Sequence, residues 1–353
     1  MEAALRGHDA ACANQSAASA NGTQPASVTD VTSCQFWSIV YNDVVLHVSI
    51  VLILVFFSFS LVVNVYLLLG LEHSEALSWQ PRYMLLKNLV VSDLLQTLTM
   101  APSALYCLFY HQMLRFSGWC LAQLFMATLA IITSLLTVFF MALERYVYIC
   151  HGIHYLSIMT NVRMYICLVL IWMLALFVAT TRIILVMSGQ PRFGQNAPGF
   201  VCEPGVVQVQ LTFKLRFEIF NKATMVTFLL LAVFVFSFSY GRMYQEARQA
   251  LQPFQQDNAC ARRTVAFYLG IFFLQLIPSF FKFVTMFHEE ADFHLFVVLL
   301  VLVPPCINPL AYGYRNMEVH QALKHLCGFR VSVRPLVSVG TLSVSVPSPE
   351  AAE

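Results

Sequence analysis

Residues 44–69 read VVLHVSIVLILVFFSFSLVVNVYLLL. The run is apolar on nearly every side, whatever spacing is laid over it. A membrane-barrel strand would alternate apolar and polar positions over about 10 residues. A soluble surface helix would carry one polar face. The remaining reading is an α-helix crossing a bilayer, which needs about 20 mostly apolar residues. The full stretch is Asp43–Gly70, and six others share its character: Tyr83–Phe109, Gly118–Cys150, Met164–Met187, Leu211–Met243, Ala261–Phe287 and Phe293–Tyr314. Short connections between them leave no room for a large soluble domain. Composition agrees. Hydrophobic residues make up 59% of the chain and charged residues 11%, against about 45–50% and about 25% in soluble proteins. Such a chain could not cover a soluble surface with charge, which excludes a soluble enzyme and a disordered chain. A net charge of +2 sets up no field to recruit nucleic acid. The expected fold is all-α: a bundle of seven transmembrane helices.

The segments outside the bundle orient it. Residues 1–42 are polar and small at first, contain no apolar signal region, and carry two glycosylation sequons, at Asn14 and Asn21. Two sequons ahead of the first span favour an extracellular N-terminus. Basic residues agree: Arg82, Arg145, Arg163, Arg242, Arg248, Arg262, Arg263, Arg315, Lys324, Arg330 and Arg334 then lie at the cytoplasmic side, as the positive-inside rule requires. The plan is an extracellular tail (1–42), the bundle (43–314), a short cytoplasmic amphipathic helix (315–330) and a disordered cytoplasmic tail (331–353), in a multi-pass plasma-membrane protein. Cys120 opens the third span and Cys202 lies in the outer loop before the fifth. Both face the oxidising side, so a disulfide between them is feasible and would tie the loop across the third helix. Cys12 and Cys34 also face outward, and the sequence does not say whether they pair. Cys327, past the last span, is a candidate for palmitoylation.

Ionisable and polar residues inside spans are the next signal, because a charge in lipid is costly. Asp93 sits in the second span, with Asn64 in the first, Ser134 in the third and Asn308 in the seventh. Converging at mid-depth, one carboxylate with hydroxyl and amide oxygens suits a sodium ion or a water cluster. The same residues would also serve as plain polar contacts between helices. At the inner end of the third span stand Glu144, Arg145 and Tyr146. Arg145 could be held by Glu144 in one state and released to Tyr240 or Tyr312 in another. Pro278 in span six and Pro304, Pro305 and Pro309 in span seven remove backbone donors and bend helices. Kinked helices beside a breakable ion pair suit a bundle that rearranges.

Taken in order, Asn64, Asp93, Cys120 with Cys202, Glu144-Arg145-Tyr146, Trp172, Tyr240, Pro278 and Asn308-Pro309-Leu310-Ala311-Tyr312 resemble the rhodopsin-like (class A) G-protein-coupled receptors. The stretch Met141 to His151, reading MALERYVYICH, is similar to the odorant-receptor pattern around its Arg-Tyr pair. Pro304 to Val319, reading PPCINPLAYGYRNMEV, resembles that family's seventh span. The whole looks closest to fish-type odorant receptors, the 131-2-like group. The chain departs from the family pattern at Gly152, where a Pro follows Cys-His, at Leu276, where many class A receptors carry an aromatic toggle, and near Ala232, where span five carries a Pro.

The resemblance implies a small-molecule ligand inside the bundle and a heterotrimeric G protein of the olfactory or stimulatory type as partners, membrane lipid around the bundle and no catalytic activity. It implies no resident cofactor beyond the allosteric sodium ion considered at Asp93. Ala127 stands where amine receptors place an Asp, so a cationic amine finds no carboxylate there. The implied pocket is Ala127, Thr128, Ile131 and Ile132 on span three, Thr224, Met225 and Phe228 on span five, Leu276, Ser279, Phe280 and Phe283 on span six, and Val298 and Leu302 on span seven. That wall suits a small, mostly apolar ligand held by one or two hydrogen bonds. Arg182, Lys222 and Lys282 could attract an anion, although Glu218 and Lys222 at i, i+4 are set to pair with each other. Alternatives are a receptor for a lipid or another non-olfactory ligand and, further off, a transporter, which would need an internal repeat or a path of intramembrane charges. No Ser/His, Asp-pair or His-Glu-x-x-His arrangement for an intramembrane protease is present.

Overall fold

The computed structural model describes residues 42–73, 80–197, 199–250 and 294–314, together with Phe36, Trp37, Val40, Gly270, Ile277 and Phe281. Five long helices follow in order: α1 (Asp43–His73), α2 (Pro81–Phe109), α3 (Gly118–Cys150), α4 (Asn161–Ser188) and α5 (Leu215–Ala250). The seventh-span helix runs His294–Asn308 and widens into a π turn over Pro309–Tyr314. Most of the expected sixth span lies outside the described residues.

Local chemistry sets the ends. Asn42 Oδ1 accepts from the Val44 amide at the start of α1, an N-cap contact. Pro81 opens α2, where its fixed φ is already helical and its missing N–H costs nothing. Thr160 caps α4 by accepting from Arg163 N. Helix α5 begins at Leu215, four residues after the expected Leu211, because Leu211 is held in a bridge to Pro191. With Ala232 in place of a proline, α5 runs on without interruption for 36 residues. The seventh helix, by contrast, carries Pro304 and Pro305 inside it and Pro309 at its end, and it is there that the α pattern gives way to a π turn.

Four described helices, α1, α3, α4 and the Leu215–Glu246 part of α5, are long and apolar enough to cross a membrane. Helix α2 is of like length but carries Arg82, Lys87, Asn88, Ser92, Asp93, Gln96 and Ser103; its polar side chains make the interhelical network described below. Helix α3 is the axis of the bundle: 72% of its most apolar window is buried, against 22% in α1 and α5 and 28% in α4. The exposed stripes are apolar. On α4, Val162, Ile166, Val169, Leu170, Met173 and Phe177 recur at helical spacing and face outward. A continuous apolar surface of this kind has lipid as its natural solvent, and the chain is a multi-pass membrane protein.

The interior divides into two apolar clusters. One, at the Glu144 end, gathers Leu71, Tyr83, Leu89, Phe139, Ile171, Phe236 and Tyr240. The other, at the disulfide end, gathers Phe36, Ile53, Met100, Leu124, Phe200, Phe217, Val298 and Leu302.

Candidate functional site

The mid-bundle network begins with what the prolines take away. In an α-helix the carbonyl of residue i accepts from the amide of i+4. Pro305 has no N–H for Val301 O, and Pro309 has none for Pro305 O. Both carbonyls are claimed from neighbouring helices. Gln96 Nε2 on α2 donates to Val301 O at 2.8 Å. Asn64 Nδ2 on α1 donates to Pro305 O at 2.9 Å and also reaches Ser60 O at 2.8 Å. Ser60 Oγ in turn lies 2.9 Å from Thr97 Oγ1, which donates to Asp93 O. The proline breaks thus become the points where α1 and α2 grip the seventh helix.

Asp93 is the hub beside them. Ser134 Oγ on α3 donates to its Oδ1 at 2.9 Å, and Asn308 Nδ2 donates to its Oδ2 at 2.9 Å. Three helices meet at one buried carboxylate. Asn64 makes no hydrogen bond to this carboxylate; it bonds Ser60 O and Pro305 O instead. Its amide nitrogen is drawn to the carbonyl that Pro309 leaves open, and its Oδ1 is buried with no hydrogen-bond partner. A cation at Asp93 would find the carboxylate and the Ser134 hydroxyl as ligands. Each carboxylate oxygen accepts one hydrogen bond and keeps a lone pair that could face a cation.

About one helix turn toward the Glu144 end on α2 and α3, Trp172 Nε1 donates to Asn88 Oδ1 at 2.9 Å and Asn88 Nδ2 donates to Thr137 Oγ1 at 2.7 Å, tying α4 to α2 and α3. At the Glu144 end, Glu144 is buried and accepts from Tyr155 Oη at 2.8 Å. Burial first, and then the Glu144 charge, push the Tyr155 phenol above its usual range, so it stays protonated and stays a donor. Tyr155 was not among the expected switch residues. It lies in the one-turn helix Tyr155–Ile158, and nothing in its spacing from Glu144 announces the contact. Tyr146 meets His151 edge-on and tilts against Phe238. Tyr240 is buried and stacked on Phe236. Arg145 is half-buried on the same turn as Glu144.

At the opposite end a disulfide joins Cys120 and Cys202. The loop it holds is paired with the linker before α3: Leu114 N donates to Gly199 O, Ala197 N to Leu114 O, Phe116 N to Gln195 O and Gly194 N to Phe116 O. Gln123 on α3 fastens it from below, with Oε1 accepting from Cys202 N and Nε2 donating to Thr99 O. Phe36 packs edge-on against Phe200. The result is a lid with its own apolar filling of Ala197, Phe200, Val201, Val206 and Val207, all buried. Beneath it a cavity of about 10 Å³, lined by Met100, Val201, Glu203, Val297, Val298 and Val301, has room for roughly one water.

Of the expected pocket residues, Val298 lines that cavity. Ala127, Thr128, Ile132 and Leu302 are buried, while Ile131, Thr224, Met225 and Phe228 are half-buried. Leu276, Pro278, Ser279, Phe280 and Phe283 lie outside the described residues, as do Asn14, Asn21, Cys12, Cys34, Cys327, Lys282 and the side chain of Tyr312. Lys222 Nζ is 2.6 Å from Glu218 Oε1. Arg182, by contrast, turns inward and donates from Nη1 to Thr128 Oγ1 at 2.9 Å.

A helical membrane bundle with a disulfide-anchored lid, a carboxylate shared by three helices and a proline-broken last helix defines a seven-helix receptor. Residues 63–312 match the family of 7 transmembrane receptors (rhodopsin family), and the chain belongs to that family. It is similar to human olfactory receptor 2AG2, 28% identical over 261 residues, 72% of this chain and 81% of the relative. Human olfactory receptor 2AG1 is 28% identical over 285 residues, 78% and 87% of the two chains. Mouse olfactory receptor 4M1 is 24% identical over 307 residues, 86% and 96%. Proteins of this family are receptors and not enzymes; they take small-molecule ligands and act through G proteins.

Proposed function

We propose that this receptor is chemosensory: it binds an odorant-like small molecule under the disulfide-held lid and activates a heterotrimeric G protein of the olfactory or stimulatory type. The observation that carries the reading is the likeness to olfactory receptors over more than three quarters of the chain. The two sequons at Asn14 and Asn21 and the inside excess of Arg and Lys support an extracellular N-terminus at the plasma membrane. Palmitoylation of Cys327 would anchor the segment after span seven.

The described packing, with its small cavity, is read as the resting arrangement. Ligand enters between spans three, five, six and seven, touching the wall formed by Thr128, Ile131, Ile132, Phe228 and Val298. It favours a second packing only by binding that packing more tightly. The Asp93–Ser134–Asn308 hub and the grips of Gln96 and Asn64 pass a shift of the seventh helix to α1, α2 and α3. Glu144 lets go of Tyr155, span six pivots at Pro278, and Arg145 is freed toward Tyr240 and the opening cytoplasmic cleft. A sodium ion at Asp93 and Ser134 would hold the resting packing.

The test is cyclic AMP in cells co-expressing the receptor and the olfactory G protein, screened against odorant mixtures, with surface expression measured in parallel. The expected result is a ligand-dependent rise that Arg145→Ala abolishes without loss from the surface. An Arg145→Ala receptor that signals normally overturns the switch, and silence of the surface-expressed receptor across the screen overturns the odorant reading.

A further inference from the structure

Arg182 is the charge that the mechanism above does not use. On α4 the buried positions include Ile171, Ala175, Val178, Ala179 and Val186. Arg182 is three residues after Ala179 and four before Val186, on that same ridge. The lipid-facing Ile184 is two positions on, about 200° around the helix. Arg182 therefore does not snorkel along the lipid face; it points into the bundle. There its Nε is shut off from solvent with no hydrogen-bond partner, and among the described residues its one hydrogen bond is the 2.9 Å contact from Nη1 to Thr128 Oγ1. Among the described residues no carboxylate bonds it.

A second buried group at the same depth is also unsatisfied. Asn221 on α5 is 2% exposed, and neither its Oδ1 nor its Nδ2 has a partner. Arg182 lies six residues before the end of α4 at Ser188, and Asn221 six residues after the start of α5 at Leu215. Both therefore sit about 9 Å inside the disulfide end of the bundle, at 1.5 Å per residue. Thr128, one turn deeper on α3, lies between them in depth and the apolar wall below. A half-buried guanidinium whose Nε is closed off and idle bonds no counter-charge among the described residues, which is costly where water is absent, and the neutral amide at a like depth offers a further donor. The neighbouring cation cannot compete for the role, since Lys222 is already engaged by Glu218.

We infer that Arg182 anchors an anionic ligand: the carboxylate of a small aliphatic acid, received by the guanidinium with Thr128 and Asn221 as neutral partners, its chain running along Ile131, Ile132 and Phe228. The inference rests on the chemosensory reading above and names its ligand class. An Arg fork accepts a carboxylate through two parallel N–H donors, which an ester or alcohol of equal length cannot match. The phosphate of an anionic lipid shares the chemistry, but it would arrive from the lipid side, which Arg182 faces away from.

The experiment uses the purified full-length receptor in nanodiscs of uncharged phosphatidylcholine, followed by thermal unfolding. Straight-chain acids from butanoate to decanoate are compared with their methyl esters and primary amides at neutral pH. The expected result is a rise of several degrees with one or more of the acids and none with the matched esters, because a ligand that binds only the folded state stabilises it. Arg182→Gln abolishes the rise, and Arg182→Lys, which keeps the charge without the fork, keeps part of it. Without ligand, Arg182→Leu unfolds at a higher temperature than the parent chain, a gain that a purely structural arginine would not give. The inference is overturned by equal responses to acid and ester, by a response that survives Arg182→Gln, by no response to any acid, or by an Arg182-dependent rise seen only when phosphatidylglycerol replaces phosphatidylcholine. No G protein enters the assay, so a failed cyclic AMP screen beside a positive unfolding result faults the coupling and not the anchor.

Discussion

The two sides of this bundle treat buried polar groups in opposite ways. Where α1, α2 and the seventh helix meet, the buried donors are used: Gln96 and Asn64 each take a carbonyl orphaned by a proline, and Asp93 accepts from Ser134 and Asn308, with Asn64 Oδ1 left over. Between α4 and α5 at the disulfide end, the Nε of half-buried Arg182 and both polar atoms of buried Asn221 have no partner among the described residues. Burying a polar group without a partner costs free energy wherever it occurs. On the first side the sequence meets that cost with hydrogen bonds that fix helix to helix. On the second it leaves the cost standing, which is what a site does when the missing partner is to come from outside. One side holds the packing together and the other is open to an occupant, so substitutions on the two should differ in sign as well as in size.

The largest effect is expected at the hub. Asp93→Ala removes the acceptor of two buried donors at once, and an unsatisfied buried donor costs about 1–3 kcal/mol each. Thermal unfolding of the detergent-solubilised receptor should show a clear drop for Asp93→Ala. Asp93→Asn, which keeps one acceptor and the shape, should fall less. Equal stability of Asp93→Ala and the parent chain would show that the three helices do not depend on this junction.

Next in size comes the grip of α2 on the seventh helix. Gln96→Leu should cost about 1–2 kcal/mol, because Val301 O is then left open. The proline explanation makes a sharper claim. Pro305→Ala restores the missing N–H, so Val301 O regains its own helix partner. In a Pro305→Ala background, Gln96→Leu should then cost much less than in the parent chain. A double-mutant cycle measures the difference directly. Additive effects would mean that Gln96 holds the helix in some other way.

How much of this was legible in the sequence follows from what each feature depends on. The long helices follow from composition alone, because lipid requires a long apolar run and admits no open strands. Asp93, Ser134 and Asn308 could be singled out because a carboxylate inside a span calls for partners, and the structure brings these three together. That Asn64 bonds Pro305 O could not be read from side-chain type, which cannot say which of two nearby acceptors an amide will choose; the missing N–H of Pro309 leaves that carbonyl open. The proline rule was available in the sequence for Val301 and Pro305, but Gln96 as the partner depends on how α2 is registered against the seventh helix. Tyr155 and the pairing of the lid with residues 114–116 depend likewise on where loops land. Arg182 was legible as a charge near the end of a span. That its Nε is closed off from solvent and that Asn221 is unsatisfied at a like depth required the packing.

The smallest effect has the opposite sign and bears most directly on the contrast. Asn221→Leu replaces an amide whose two polar atoms lack partners with an apolar side chain of similar volume. Replacing an unsatisfied polar group with an apolar one of the same shape is neutral or stabilising, so the ligand-free receptor should gain up to about 1 kcal/mol. On the α1–α2 side a Leu in place of an amide, as in Gln96→Leu, costs stability; at Asn221 the same chemical change should recover some. If Asn221 serves a ligand, the gain comes with a weaker response to whatever stabilises the parent chain. A loss of stability in the ligand-free state would put Asn221 with the structural amides of α1 and α2, and the contrast would then rest on Arg182 alone.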